Sequence, residues 1–250
     1  MNHLVILLAA AAMGGAVNAL AGGGTFLVFP ALLFAGVASV RANATASLAL
    51  LPGAITSAWV YREAVRSISI RFIVTMGVVS LAGSLTGSML LMHTSNATFS
   101  NLVPWLLLMA AGVFTAAPWL RKAAARLGGH QSMAVMIAGQ YVVSTYGGYF
   151  GAGMGVLMMS LYLAASAMNV HTAAGLRTVC AAAINILAVA IFSWKGALDY
   201  ADGVPMLVAG IVGGYLGALV VKRLNAENAR RGILIYAWAL TVWFFVKGIF

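Results

Sequence analysis

The sequence has little charge, and most of the charge that it has is positive. Only 7% of its 250 residues are charged, with 14 Lys and Arg against 4 Asp and Glu, whereas an average soluble domain carries about 25% charged residues. Hydrophobic residues make up 63% of the chain. Long apolar runs separated by short polar stretches are typical of membrane-spanning helices, and the alternating pattern of a transmembrane barrel is missing from the sequence. We therefore predict an all-α polytopic membrane protein.

Cysteine is almost lacking too, since Cys180 is the only one. A single cysteine excludes an internal disulfide and any cysteine-based metal cluster, and we expect neither a metal nor a cofactor. The net charge of +10 comes mostly from Lys and Arg between apolar runs, where orientation in a bilayer explains it, so we expect no nucleic-acid partner. The N-terminal segment 1–21 lacks the basic start of a signal peptide, and we expect it to be retained as the first helix.

The apolar segments indicate a duplication. A constant shift in residue number aligns Gly23 with Gly153 and Gly83 with Gly213. The order of segments also repeats, and we predict a first transmembrane repeat at 1–120, a linker at 121–130 and a second repeat at 131–250. The ten segments lie at about 3–21, 25–40, 42–61, 72–93, 101–120, 131–150, 154–168, 172–193, 203–221 and 232–250.

The charges between segments predict that the two repeats have opposite orientations. Segment 62–71 holds three Arg against one Glu, whereas its counterpart in the second repeat, 192–201, holds one Lys against one Asp. The uncharged "HTSNATFSN" corresponds instead to the basic segment 222–231. The positive-inside rule places 62–71, 121–130 and 222–231 on the cytoplasmic side, with equivalent loops on opposite sides of the membrane. We therefore expect a multi-pass membrane protein with inverted repeats.

Each repeat contains a glycine-rich interruption, "AGGGT" in the first and "FGAGMG" in the second. An interrupted helix leaves backbone groups unpaired, which is tolerated at membrane depth only beside protein or a wet cavity. Segment 25–40 would reach about 24 Å as a helix, short of a hydrocarbon core of about 30 Å. The length favours a hairpin that enters and leaves the same face, although five full crossings per repeat would also give inverted repeats.

The interruptions predict a binding site for an anion. In inverted-repeat transporters, the N-termini of paired half-helices direct partial positive charge and free N–H groups toward the substrate. The alternative is that the glycines only permit close helix packing, which is our interpretation of the GxxxG pairs Gly83/Gly87 and Gly213/Gly217. The candidate residues at the two interruptions are Gly23, Gly24, Thr25, Gly153 and Gly155.

Several longer stretches resemble a known family. The sequence "GGGTFLVFPALL" is followed by "VRANATASLALLPG" and "YREAVR", and the second half has "GAGMGVLMMSLYLAASAMNVHTAAGLRT" followed by "WKGALDY". Together these stretches, which span nearly the whole chain, resemble the sulfite exporter TauE/SafE family. The resemblance implies a bacterial inner-membrane permease that exports sulfite, sulfoacetate or related organosulfonates.

Arg177 is the strongest candidate for binding an anion. It lies about five residues into a predicted spanning segment, where an Arg is costly unless it faces a wet cavity or a partner. All four acidic residues are predicted to lie in loops, so a substrate anion is the natural counter-charge, and a planar guanidinium suits the paired oxygens of a sulfonate. The alternative is that Arg177 extends to the membrane interface.

Other polar residues near the interruptions are further candidates. Arg41 and His171 are equivalent under the same shift, but Arg41 could only anchor at headgroups and a lone His is more often structural. Asn43 and Ser47 are four positions apart and share a helix face. The remaining donors, any of which could instead bridge helices, are Asn18, Thr25, Gln140, Tyr146, Tyr149 and Asn185.

The scarcity of acidic residues also bears on mechanism. Coupled carriers commonly place Asp or Glu at membrane depth, and none is predicted there. We expect alternating access, with export driven by the membrane potential, and the partners are a small anion and the lipid bilayer. A small-anion channel is the alternative, whereas a membrane-embedded enzyme would need a nucleophile, a base and an orienting acid that no local sequence supplies. The sequence leaves open whether the protein forms a homodimer.

Overall fold

The computed structural model describes residues 2–21, 23–126, 132–166, 168–221 and 226–247. Within these ranges the chain is helical and has no β-strand, which confirms the predicted all-α class. Three stretches, Ile70–Met92, Asn96–Ala116 and Val170–Trp194, are long and apolar enough to cross a membrane. The helices are α1 (Asn2–Ala21), α2 (Thr25–Phe34), α3 (Ser39–Val60), α4 (Arg62–Arg66), α5 (Ile70–Met92), α6 (Asn96–Arg126), α7 (Met133–Tyr149), α8 (Met154–Ala165), α9 (Val170–Trp194), α10 (Tyr200–Val221) and α11 (Ala226–Lys247).

Local sequence explains where several helices begin and end. The side chain of Asn169 caps α9 by accepting a hydrogen bond from the backbone N–H of Thr172 at 2.8 Å. Ser69 caps α5 in the same way through Phe72. After α2 the chain turns at Gly36, whose φ of 86° is unfavourable for residues with a Cβ. This turn ends α2 at Phe34 rather than near residue 40.

The two shortest apolar helices fold back along the helices that precede them. A Cβ added at Gly14 of α1 would lie 2.6 Å from Val28 of α2, and Gly24 also approaches Gly14. In the second half, a Cβ at Gly139 of α7 would lie 2.5 Å from Leu161 of α8. At 1.5 Å per residue, the 10 residues of α2 and the 12 residues of α8 reach only about 15 and 18 Å. Each interruption is therefore the tip of an antiparallel helix pair.

Glycines bring helices from opposite halves of the chain into close contact. A Cβ at Gly83 of α5 would lie 2.6 Å from Ser144 of α7, and one at Gly87 would clash with the backbone oxygen of Thr145. Similarly, Gly213 of α10 packs on the backbone of Ala12 in α1. Small residues permit such approach of helix backbones in membranes. This is the packing role expected for the GxxxG glycines, apart from Gly217, which lies where side chains are not described.

Helices α3 and α9 pack against each other in the centre and run antiparallel. At one end, the ring of Tyr61, which follows α3, lies 5.6 Å from that of His171 in the first turn of α9. At the other end, Thr45 accepts a hydrogen bond from the backbone N–H of Asp199 at 2.9 Å. We call the end with Tyr61 and α4 the Arg62 face. The opposite end, the His93 face, includes the α5–α6 turn, because Asn96 binds Ser39 and Val40 at the start of α3.

Candidate functional site

A polar cavity lies where the tips of the two helix pairs meet α3 and α9. The space that water-sized molecules can occupy in it is about 50 Å³, more than the about 10–15 Å³ that a single water needs. Among its lining residues that the structure describes, Arg177 carries the only formal charge. The lining residues are Asn18, Thr25, Ser47, Leu50, Ala54, Ser57, Phe150, Gly151, Met154, Gly155, Arg177, Thr178, Ala181 and Asn185.

Arg177 lies deeper in its helix than the sequence indicated. Because Asn169 caps α9, the helix begins at Val170, and Arg177 is the eighth residue, about two turns from the start. Its side chain is 9% exposed and lines the cavity. The position favours the predicted role in a wet site over the alternative of extension to the membrane interface.

The first turns of both short helices open onto the same cavity. Thr25 is the first residue of α2, and Gly155 is the second residue of α8. Phe26, Met154 and Val156 donate their backbone N–H groups to carbonyls of the glycine tips at 3.0–3.2 Å. The start of a helix nevertheless carries partial positive charge. The tip before α8 contains Gly153 at a φ of 76°, which favours glycine. Two helix N-termini and one guanidinium therefore surround one cavity, an arrangement suited to an anion.

Four hydroxyl and amide groups of the cavity are bound to their own helices. Ser47 donates to the carbonyl of Asn43 at 3.1 Å, and Asn185 donates to that of Ala181 at 2.8 Å. Ser57 and Thr178 likewise donate to preceding turns at 2.7 Å. A hydroxyl can rotate to donate elsewhere. These groups can therefore hydrogen-bond a solute at the cost of an intrahelical bond.

The structure brings six of the predicted residues to the cavity and leaves others outside its lining or at the protein surface. Those at the cavity are Asn18, Thr25, Ser47, Gly155, Arg177 and Asn185. Gly23 and Gly24 are buried directly before Thr25, and Gly153 lies against Ala110.

Asn43 and Tyr149 bind each other beside the cavity. The Asn43 amide donates to the backbone oxygen of Tyr149 at 2.9 Å, while the hydroxyl of Tyr149 donates to Thr94 at 3.4 Å. Asn43 is 1% exposed. These bonds link α3, the end of α7 and the α5–α6 turn near the His93 face.

The equivalent pair Arg41 and His171 lies at the two faces. Arg41 is exposed and donates to the backbone oxygen of Leu198 at 3.4 Å, whereas His171 packs on Tyr61 at the Arg62 face. Neither is among the cavity-lining residues that the structure describes, so their predicted substrate contacts have no support from this geometry.

Sequence reasoning passed over Ser57 and Thr178. Ser47, Ala54 and Ser57 line the cavity at intervals of seven and three positions, and Thr178 is followed by Ala181 and Asn185. Such spacings place residues on one helix face. Both residues could have been identified by following the helix faces that contain Ser47 and Arg177.

Comparisons with known proteins identify membrane transporters that are similar to this chain. The family model described as "Sulfite exporter TauE/SafE" matches residues 7–244. A protein of Haemophilus influenzae named "Probable membrane transporter protein" is 27% identical over 244 residues, covering 96% of this chain and 94% of that protein. The "Probable membrane transporter protein YfcA" of Escherichia coli is 26% identical over 232 residues, covering 93% and 86%. No solved structure matches the chain.

Proposed function

This chain belongs to the sulfite exporter TauE/SafE family of membrane transporters, and from that premise we propose that it exports sulfur-containing anions through the Arg177 cavity. The proposed substrates are sulfoacetate, sulfite and related organosulfonates. We further propose alternating access as the mechanism and the bacterial cytoplasmic membrane as the location, with several crossings of the bilayer.

One observation carries this proposal. Arg177 lines a polar cavity onto which the first turns of α2 and α8 both open. A sulfonate offers three oxygens to such a site, two of which match the parallel N–H groups of a guanidinium. The partial positive charge at the starts of α2 and α8 would attract the remaining oxygen. The apolar side chains of Leu50 and Met154 in the same wall suit a short carbon chain on the anion.

The packing of the halves supports inverted repeats. Helix α1 packs on α10 of the other half, and the equivalent helix α7 packs on α5. Helices α3 and α9, which are also equivalent in the proposed repeat, pack together and run antiparallel. The α1–α2 pair begins near Asp202, which His3 contacts at 3.3 Å, and ends beside α3 at the His93 face. The α7–α8 pair ends beside the first turn of α9, at the opposite face.

Inverted halves around one site allow alternating access by rocking of one half against the other. No acidic residue is among the described residues of the cavity wall, and we propose transport that is not coupled to protons through a carboxylate. An anion leaving a negative interior gains about 2.3 kcal/mol per charge per 100 mV, which corresponds to about fiftyfold in concentration ratio. Export down the membrane potential is therefore sufficient as a driving force.

A counterflow experiment tests whether the protein is a carrier for these anions. Proteoliposomes are loaded with unlabelled sulfoacetate or sulfite, and uptake of the labelled anion is followed at zero potential. The proposal predicts saturable uptake that internal substrate accelerates and that Arg177→Ala slows strongly, while Arg41→Ala leaves it intact. Flux that neither saturates nor shows counterflow would identify a channel instead, and the absence of flux for all these anions would contradict the proposed substrates.

A further inference from the structure

Five aromatic rings form a contiguous cluster beside the cavity, those of Phe29, Phe99, Tyr146, Tyr149 and Phe150. Phe150 packs on Phe29 with ring centroids 5.5 Å apart and on Phe99 at 6.2 Å. Phe99 also contacts Phe29 at 6.3 Å and Tyr149 at 5.6 Å. All of these contacts are edge-to-face, an arrangement that aromatic pairs prefer. The three Phe side chains are no more than 2% exposed, so the cluster is closely packed.

The cluster lies between the cavity and the His93 face. Phe150 lines the cavity. Phe99 is in the first turn of α6, and Tyr149 binds Thr94 in the preceding turn, so the far side of the cluster is at the His93 face. The rings therefore separate the cavity from that face.

The cavity itself extends toward the other face. On α3, Ser57 is three positions from the end of the helix at the Arg62 face, or about 4.5 Å at 1.5 Å per residue. Ser47 is eight positions from the end at the His93 face, or about 12 Å. On α9, Arg177 is likewise closer to its start than Asn185 is to its end. The cavity lining therefore ends nearer to the Arg62 end of both helices than to their His93 end.

We propose that Phe29, Phe99 and Phe150 form the gate that closes the cavity toward the His93 face, while the cavity is reached from the Arg62 face. This inference rests on the proposed transport function and adds which residues control access on one side. To admit solute from the His93 face, the ring of Phe150 must leave Phe29 and Phe99.

The chain around Phe150 is built for such a movement. Phe150 lies in the tip between α7 and α8, outside both helices. The following Gly151 and Gly153 have φ values of 80° and 76°, and glycine can leave these conformations without steric cost. Phe150 and Gly151 donate backbone hydrogen bonds to the Tyr146 carbonyl at the end of α7, and a change in the side-chain rotamer of Phe150 moves its ring without breaking them. Because Gly155 shares the tip and lines the cavity, the gate is also coupled to the binding site.

Labelling of single cysteines tests the gate without any transport assay. Cys180→Ala removes the natural cysteine, and Ser57→Cys places a reporter in the cavity. A membrane-impermeant maleimide is then applied to each side of the membrane separately, with Ser67→Cys and Ser95→Cys as markers for the Arg62 and His93 faces. If the gate is closed, the new cysteine of Ser57→Cys reacts with maleimide applied to the side that labels Ser67→Cys. It does not react with maleimide applied to the other side.

Combining Phe150→Ala with Ser57→Cys tests whether the ring of Phe150 itself closes the cavity. Loss of ring contacts worth about 1.4 kcal/mol would speed labelling from the His93 side by about tenfold. The matched control is Phe192→Ala, which removes a buried core ring that does not line the cavity. Size-exclusion profiles check that each variant folds. If Phe150→Ala does not fold, Phe99→Leu is used in its place.

The outcomes separate the gate from the proposed function. Two results would overturn the gate even if sulfonate transport is observed. One is equal labelling of Ser57→Cys from both sides in the parent. The other is that, when folded Phe150→Ala and Phe99→Leu are tested, Ser57→Cys is still labelled from one side only. Labelling as predicted, together with no anion flux, would leave the gate in place and contradict only the proposed substrates.

Discussion

Ser47 of α3 and Arg177 of α9 line the same cavity from two antiparallel helices. The shift that aligns Gly23 with Gly153 also aligns these two residues, so they are equivalent in the proposed repeat. At equivalent positions, one repeat therefore supplies a hydroxyl and the other a guanidinium. The proposed site is asymmetric, with its positive charge coming from the second half alone.

Replacing Arg177 tests that asymmetry. Arg177→Lys keeps the charge but loses the planar pair of donors, and we expect a higher KM for sulfoacetate with a smaller change in maximal rate. Arg177→Ala should reduce kcat/KM by about 10- to 150-fold, the equivalent of about 1.5–3 kcal/mol for hydrogen bonds to a charged group. Initial uptake rates in proteoliposomes measure both, and Arg41→Ala is the control. Equal kcat/KM in Arg177→Ala and the parent would show that Arg177 does not bind the transported anion.

Thr25 tests whether the start of α2 contacts the anion. Thr25→Val keeps the shape and removes the hydroxyl, so we expect the KM to rise by about 2- to 12-fold, the loss of one hydrogen bond of about 0.5–1.5 kcal/mol. Thr86→Val on the exposed side of α5 is the matched control, since its hydroxyl bonds Ala82 and Tyr141 far from the cavity lining. A KM that changes equally in both variants would show that the effect is not specific to the site.

Two glycines of α5 make a matched test of helix packing. Gly87→Ala places a methyl against the backbone of Thr145 in α7, whereas a Cβ at Gly77 meets no atom within 4 Å. We expect Gly87→Ala to lower the melting temperature in detergent, because α5 and α7 must separate. Gly77→Ala should leave it unchanged or raise it, since Ala has the higher helix propensity. The same melting temperature for both variants would argue against close packing of α5 on α7.

A buried polar cluster joins α5, α7 and α8. The hydroxyl of Tyr162 donates to the side-chain oxygen of Gln140 at 2.8 Å, and the Gln140 amide donates to Ser80 at 2.7 Å and Ser144 at 3.1 Å. Tyr162→Phe leaves the Gln140 oxygen buried without its donor, and we expect a loss of stability of about 1–3 kcal/mol. Thermal unfolding measures this loss. Tyr141→Phe, at an exposed tyrosine, should unfold like the parent.

Much of the fold was visible in the sequence because membrane helices leave a strong compositional signal. The glycine-rich interruptions predicted where α2 and α8 begin, and the structure starts them at Thr25 and Met154. The charged segment 62–71 was expected to be a loop, but it contains the short helix α4, whose Ala64 packs on Gly175. A helix this short carries too little periodicity to be recognised without that contact.

The candidate site was predicted less completely. A helix face can be read from spacing, which placed Asn43 and Ser47 together, but spacing does not tell how far along that face a cavity extends. Ser47 reaches the cavity, whereas Asn43 is one turn further on and binds Tyr149. Phe150 had no polar group to draw attention to it, so its place between cavity and aromatic cluster emerged only from tertiary contacts.

The most direct test of the central claim is uptake of labelled sulfoacetate and sulfite into proteoliposomes under a potassium diffusion potential. The potential is set positive inside, zero and negative inside, for the parent protein, Arg177→Ala and Arg41→Ala. We predict saturable uptake that grows with a positive interior in the parent and in Arg41→Ala, and whose kcat/KM is about 10- to 150-fold lower in Arg177→Ala. Uptake that is insensitive to the potential, or that is equal in Arg177→Ala and the parent, would contradict electrogenic anion transport through the Arg177 cavity.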